Sequence, residues 1–162
     1  MTTPKRALKT STNAVQASRF APHGLVEISF VGDILLYTAT GPFNKELVDS
    51  LAVAQTEILT AADHPGPWVS VSLMRNSLLA SPEAFAQYNA MMHAAKPARC
   101  IPLASAYVVA PDVEGRTLML PKYAAIHTSS GRLFRSFDHL DDALAWAQTL
   151  IAAEKAKNPH TP

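Results

Sequence analysis

Residues 133–146 have the sequence LFRSFDHLDDALAW, and this stretch decides the fold. Its first five residues suit a β-strand, and Asp138 is placed to accept a free backbone N–H at the start of a helix. Apolar residues then recur at helical spacing, namely Leu140, Ala143, Leu144, Ala147, Leu150 and Ile151. The stretch therefore predicts a strand followed by an amphipathic helix, the repeating unit of an α/β domain.

The same alternation extends towards the N-terminus. Two β-like runs, 25–30 and 34–40, flank Gly32 and predict a hairpin. A helix is expected after Asn44, and a strand over 68–73, where serines alternate with apolar residues. The small serines suggest close contact with a helix or loop.

The second half continues the pattern. Ser81 followed by Pro82 predicts a helix start, and 104–110 is an apolar run typical of a strand covered on both faces. Between that run and the last strand, Gly115 and Pro121 predict two broken helical turns. The order β-β-α-β-α-β-(α)-β-α predicts an α/β fold with a single mixed, mainly parallel sheet, an N-terminal antiparallel hairpin and covering helices.

This order, together with the strand, the Phe137-Asp138 step and the Ala-Leu-Ala-Trp helix ending at Trp146, resembles the SpoIIAA-like branch of the STAS fold. The resemblance covers roughly residues 24–152. It implies kinship in fold with anti-sigma-factor antagonists, transporter-associated regulatory domains and the CRAL-TRIO lipid-binding domains. The antagonists' Asp-Ser-x-Gly-like phosphorylation motif is missing from the corresponding stretch, residues 72–82.

The length of 162 residues predicts one domain, since domains most often hold roughly 100–150 residues. We expect a disordered N-terminal arm over 1–22, a SpoIIAA-like domain over 23–154 and a flexible tail over 155–162. The arm is rich in Thr, Ser, Lys and Ala and lacks apolar periodicity. An organelle transit peptide is the alternative for the arm, although Pro4 and the lack of an amphipathic face disfavour it.

Composition excludes several classes of function. Residues 20–153 contain eight Lys and Arg residues against twelve Asp and Glu residues, so a nucleic-acid-binding body is not expected. The single cysteine, Cys100, favours a reducing, cytoplasmic setting, and no apolar run is long enough for membrane insertion. Scattered histidines and the lack of a glycine-rich phosphate loop predict neither a metal site nor a cofactor.

Ser77 and Ser81 are the candidate regulatory residues. Both lie near the expected start of the second helix, where the helix dipole and free amides would stabilise a phosphate. The simpler interpretation is an ordinary loop serine at 77 and a helix cap at 81, and we favour it.

Two further groups of residues are candidate functional sites. The first precedes the last strand and could supply a nucleophile and a base, although ordinary loop composition explains it: Tyr123, His127, Ser129 and Ser130. The second could line an adaptable apolar pocket with the weak segment 115–121 as a cover: Met74, Met91, Met92, Met119, Phe85, Tyr88 and Trp146.

No recognisable catalytic constellation is present, so the leading hypothesis is a non-catalytic regulatory or protein-interaction module with an unknown protein partner. The first alternative is a carrier or sensor of a small apolar ligand or lipid. The second is an enzyme whose residues converge only in three dimensions. The hairpin 25–40, if it forms the edge of the sheet, would also allow a homodimer.

Overall fold

The computed structural model describes residues 8–159. Six strands form one sheet in the order in which they occur along the chain: β1 Lys9–Ser11, β2 Leu25–Val31, β3 Ile34–Thr40, β4 Val69–Arg75, β5 Ala104–Val109 and β6 Leu133–Phe137. Four helices connect or follow them: α1 Lys45–Ala62, α2 Pro82–His93, α3 Arg116–Ser129 and α4 Leu140–Lys157.

The sheet has an antiparallel and a parallel part. β1, β2 and β3 pair antiparallel, whereas β3, β4, β5 and β6 pair parallel. The prediction of a mixed sheet with an N-terminal antiparallel hairpin is therefore confirmed. No helix in the described part of the chain is long and apolar enough to cross a membrane.

The helices divide between the two faces of the sheet. The three crossover helices α1, α2 and α3 pack on one face, as expected when successive parallel strands are joined by crossovers of the same hand. Helix α4 packs on the other face, where Ala143, Ala147 and Ile151 meet Val71 and Ala106. The molecule thus has three layers with a separate apolar core on each side of the sheet.

Two helix starts follow their predicted caps. The Asn44 side chain accepts a hydrogen bond from the Leu47 N–H at 3.0 Å, and the Ser81 hydroxyl accepts one from the Ala84 N–H at 3.1 Å. Asp138 was expected to cap α4 in the same way, and that prediction is wrong. His139 precedes the helix without a side-chain cap, and the Asp138 carboxylate pairs with Arg116 at 2.6 Å.

The prediction of two broken turns between β5 and β6 is also wrong, because α3 is one continuous helix that contains Pro121. Gly115 lies just before its first residue with φ 74°, so it begins the helix instead of weakening it. Burial of Met119, Tyr123 and Ile126 against the sheet stabilises the helix despite the hydrogen bond that proline removes.

The segment before β2 differs from the predicted disordered arm. β1 pairs with β2, Thr12 is buried, and its hydroxyl accepts a hydrogen bond from the Val26 N–H at 3.1 Å. β1, not the hairpin, therefore forms this edge of the sheet. The segment is too short and polar to show periodicity, and only pairing with β2 orders it. Residues 1–7 lie outside the described residues.

The other end of the chain also differs from its predicted boundary. Helix α4 continues to Lys157, and Lys155 pairs with Asp33 at 2.7 Å, so the first residues of the expected tail are helical. Residues 160–162 lie outside the described residues.

Because Thr12 supplies the acceptor for a buried amide, we expect Thr12→Val to lower the free energy of unfolding by roughly 1–3 kcal/mol. The substitution keeps the shape and removes only the hydroxyl. Thr10→Val is the matched control, since the Thr10 hydroxyl makes no hydrogen bond within residues 8–159. Urea unfolding of both variants measures the difference. Equal stability of the two would show that the N-terminal segment does not contribute to the folded state.

Candidate functional site

A cavity of about 80 Å³ lies between the sheet and helices α1, α2 and α3. Since an enclosed water needs roughly 10–15 Å³ by this measure, the cavity has room for several waters or a small organic group. We call it the tyrosine cavity, because all four tyrosines of the chain line it: Tyr37, Tyr88, Tyr107 and Tyr123.

The cavity exists because small residues occupy the centre of this face of the sheet. Ser72 on β4 lies in register between Tyr37 on β3 and Tyr107 on β5. In the neighbouring row, Ser70 pairs with Ser105, and the larger Leu35 and Phe134 flank this pair. The tall side chains on either side keep the helices away from the serines and leave a depression above them.

The serine hydroxyls on the floor have no partner among the described residues. Ser70, Ser72 and Ser105 make no side-chain hydrogen bond with any residue between 8 and 159, and all three line the cavity. The sequence predicted that these small residues of β4 would contact a helix or loop closely, and that prediction is wrong. They face open space instead, because the flanking tyrosines set the height of the helices.

The walls carry a connected set of hydroxyl groups. The Tyr88 hydroxyl lies 2.7 Å from the Tyr107 hydroxyl and 3.2 Å from Nε2 of His127. The Tyr37 hydroxyl donates to Oε1 of Gln55 at 3.0 Å. These bonds tie α1, α2 and α3 to the sheet around the cavity.

His127 leaves one polar group of this network unsatisfied. The residue is 2% exposed, and Nδ1 has no hydrogen-bond partner within residues 8–159. If Nδ1 carries the proton, Nε2 accepts from Tyr88 and an N–H donor is left unpaired. If Nε2 carries it, Nε2 donates to the Tyr88 hydroxyl, and the proton of one of the two tyrosine hydroxyls and the Nδ1 lone pair are left without a partner. In either tautomer the protein alone does not complete the network.

Burial keeps these groups neutral. It raises the pKa of Tyr88 to about 12 and holds those of Tyr37, Tyr107 and Tyr123 above their usual range. Burial, together with the positive charge of Arg132, lowers the pKa of His127 to about 4. At neutral pH the walls therefore offer hydrogen bonds without net charge.

The single ionised side chain among the lining residues is Arg132, in the loop between α3 and β6. Its guanidinium is partly buried and makes no hydrogen bond or ion pair within residues 8–159. Burial lowers its pKa, and the lining contains no Asp or Glu. The lining is thus uncharged except for the partly buried guanidinium of Arg132.

The predicted regulatory serines lie outside this cavity. Ser77 is fully buried, and its hydroxyl accepts from the Leu79 N–H at 3.1 Å, so it is not the ordinary loop serine we expected. Ser81 is partly exposed and caps α2 as expected. A regulatory role for either residue stays a prediction.

The other predicted groups are only partly brought together. Tyr123 and His127 line the cavity, but Ser129 contacts Nε2 of His93 at 3.1 Å and the Ser130 hydroxyl donates to the backbone carbonyl of His127 at 2.8 Å, so neither serine hydrogen-bonds the imidazole of His127. Of the predicted pocket residues, Met74, Met91, Met92 and Tyr88 line the cavity, whereas Met119, Phe85, Trp146 and the segment 115–121 do not. Within residues 8–159, no three His, Cys, Asp or Glu side chains come close enough to hold a metal ion.

Sequence reasoning missed Tyr37, Tyr107, Arg132 and the floor serines. One signal was available, since β4 alternates valine with serine and β5 places Ser105 in an otherwise apolar run. A strand buried on both faces that carries small polar residues on one of them indicates unfilled space there.

Comparisons with known proteins identify one fold neighbour. The sequence matches no protein-family model, and no curated protein is similar to it. A solved structure from Shewanella loihica PV-4 is described as an uncharacterized protein from the DUF3478 family with a SpoIIAA-like fold. It is 15% identical, with a TM-score of 0.49, and the match covers 80% of this chain and 98% of that one.

Ser77 and Ser81 should differ in how well they tolerate a negative charge. Aspartate is a good helix cap and suits the positive end of α2, so we expect Ser81→Asp to change stability by less than about 1 kcal/mol. Ser77→Asp buries a carboxylate without a cationic partner and should destabilise the protein severely. Urea unfolding measures both. Similar stability of the two variants would contradict the burial of Ser77.

The low pKa of His127 predicts a dependence of stability on pH. Above about pH 6.5 the imidazole is neutral in both the folded and unfolded states. Between about pH 6.5 and 4 the unfolded chain binds a proton that the folded protein does not, so stability falls with falling pH. His127→Phe keeps a ring against Phe134 and removes this loss.

At each pH we subtract the free energy of unfolding of His127→Phe from that of the wild type. We expect this difference to be roughly 2–3 kcal/mol smaller at pH 4.5 than at pH 7. Urea unfolding at the two pH values gives this double difference, in which the titration of distant carboxylates cancels. His93→Phe, which makes the same substitution at an exposed position, is the control for the substitution itself. A pH-independent difference for His127→Phe would show that the ring is not buried in its neutral form.

Proposed function

We propose that this domain binds a small organic molecule in the tyrosine cavity and acts as a carrier or sensor of it. The observation that carries the proposal is a set of three serine hydroxyls, those of Ser70, Ser72 and Ser105, that line one cavity and make no side-chain hydrogen bond within residues 8–159. Polar groups inside a protein are nearly always hydrogen-bonded, because an unpaired one costs about 1–3 kcal/mol. Several around one cavity favour an occupant that pairs with them.

The lining also has the composition of a ligand site. Apolar and aromatic side chains, including Phe43, Leu51, Trp68 and Met92, surround the few convergent polar groups. Apolar walls supply affinity by burying the ligand's surface, and the polar groups fix its orientation. The expected ligand therefore has mixed polarity, unlike the wholly apolar one considered from the sequence.

The protonation states favour binding over acid–base catalysis. A general acid or base works best when its pKa lies near the working pH. The pKa of His127 is about 4 and those of the cavity tyrosines are raised, so these groups keep their protons in place near pH 7. They are suited to recognising a ligand and not to transferring protons.

A ligand sensor is one form of the non-catalytic regulatory module predicted from the sequence. The occupant would contact α1, α2 and α3 together, since all three line the cavity. The large exposed apolar side chains belong to separate elements, such as Val31 on β2, Leu118 on α3 and Leu133 on β6. Ligand binding thus has more support in the structure than a fixed protein interface.

Mass spectrometry of protein purified from its own host tests the proposal. We expect a native mass above that of the chain and a small molecule released on denaturation. Ser72→Leu should lose it, because the larger side chain fills the floor between Tyr37 and Tyr107. Ser136→Leu is the matched control, since Ser136 lies in the same row of the sheet but is exposed and does not line the cavity.

Circular dichroism establishes that both variants keep the fold. Retention of the small molecule by Ser136→Leu and its loss from Ser72→Leu would support binding in the cavity. A wild-type protein that carries nothing, or equal retention by the two variants, would contradict it.

A further inference from the structure

The lining of the tyrosine cavity carries a positive charge that no group within residues 8–159 neutralises. Arg132 lines the cavity, and within residues 8–159 its guanidinium donates no hydrogen bond to a carboxylate or a carbonyl. A partly buried guanidinium with five N–H donors normally has such partners. Arg132 therefore has donors available to a molecule from outside.

A second cation lies nearby. The charge of Arg132 contributes to lowering the pKa of Lys96, after partial burial of the ammonium group. The Lys96 ammonium donates to the backbone carbonyl of Met91, a cavity residue, and has no carboxylate partner among the described residues. Two like charges placed together without an acid repel each other, and an anion between them would relieve that repulsion.

The loops explain why the charges meet here. Lys96 lies in the connection from α2 to β5, and Arg132 in the connection from α3 to β6. β5 and β6 are neighbouring parallel strands, so the segments that lead into them meet at the end of the sheet where both strands begin. The floor residues Ser70 and Ser105 are near the starts of β4 and β5 and therefore lie towards the same end of the sheet.

We infer that the ligand of the tyrosine cavity is an organic anion whose carboxylate is bound by Arg132 and whose apolar body lies over the serine floor. This inference rests on the proposed function and specifies its ligand class. An arginine binds a carboxylate through two parallel hydrogen bonds, which fixes the orientation of the group. The neutral walls contain no second charge, so a ligand with one anionic head and an uncharged body fits best.

Titrations with acids and their uncharged isosteres test the charge requirement. Benzoate and benzamide form an aromatic pair, and hexanoate and hexanamide an aliphatic pair. Protein-observed NMR at constant ionic strength gives the Kd and locates binding from the amides of Ser72, Ser105 and His127. We expect at least one acid to bind at least about tenfold more tightly than its amide, the ratio that charge-assisted hydrogen bonds provide.

Variants identify the cation responsible. Arg132→Gln should weaken binding of the acid at least about tenfold and leave its amide unchanged, and Lys96→Gln should have a smaller effect. Arg135→Gln is the matched control. It removes the same charge from β6, but Arg135 stacks on Phe137 on the opposite face of the sheet.

The outcomes separate this inference from the proposed function. Acid and amide binding equally, with Arg132→Gln binding like wild type, would overturn the anion and leave a ligand-binding cavity. An equal loss in Arg132→Gln and Arg135→Gln would also overturn it, because a general effect of net charge would then suffice. If no probe binds, the inference is overturned. The proposed function is then decided by whether the purified protein retains a small molecule from its host.

Discussion

The hydroxyl of Tyr88 joins the elements around the cavity. It contacts the Tyr107 hydroxyl on β5 and His127 on α3, and Tyr88 itself belongs to α2. These contacts set the distance of two helices from the sheet, because a tyrosine standing on a strand is long and its hydroxyl must reach a partner. With the helices held at this height, Ser72 beside Tyr107 is too short to touch them. The cavity is the space that this mismatch leaves.

The two faces of the central strands have different roles. On one face, Val69, Val71, Ala104 and Ala106 are fully buried under α4, whose own contacts include Ala147. Small side chains on both partners allow close packing, which stabilises the sheet and leaves little space. The opposite face carries the serines and tyrosines. A site with unsatisfied groups is therefore supported by a well-packed layer directly beneath it.

The electrostatics follow from the same geometry. Deep burial keeps His127 and the tyrosines uncharged, whereas Arg132, which is more exposed, remains a cation with no partner among residues 8–159. A neutral interior with hydrogen-bonding capacity and a single cation suits binding of a molecule better than its chemical conversion. We propose a ligand with an uncharged body and an anionic head because the buried side chains of the cavity are uncharged and Arg132 is a cation.

Local chemistry in the sequence determined the strand and helix order from β2 onward and the caps at Asn44 and Ser81, because each depends on neighbours within a few residues. The mixed sheet followed from that order, since strands that alternate with helices pair parallel. Tertiary structure alone decided that α3 continues through Pro121, since its burial against the sheet outweighs the local preference. It also decided the site. Ser72 becomes a cavity floor only because parallel pairing places residues 37 and 107 on either side of it. Register across strands tens of residues apart leaves no trace in periodicity or spacing, so the sequence predicted the scaffold but not the cavity within it.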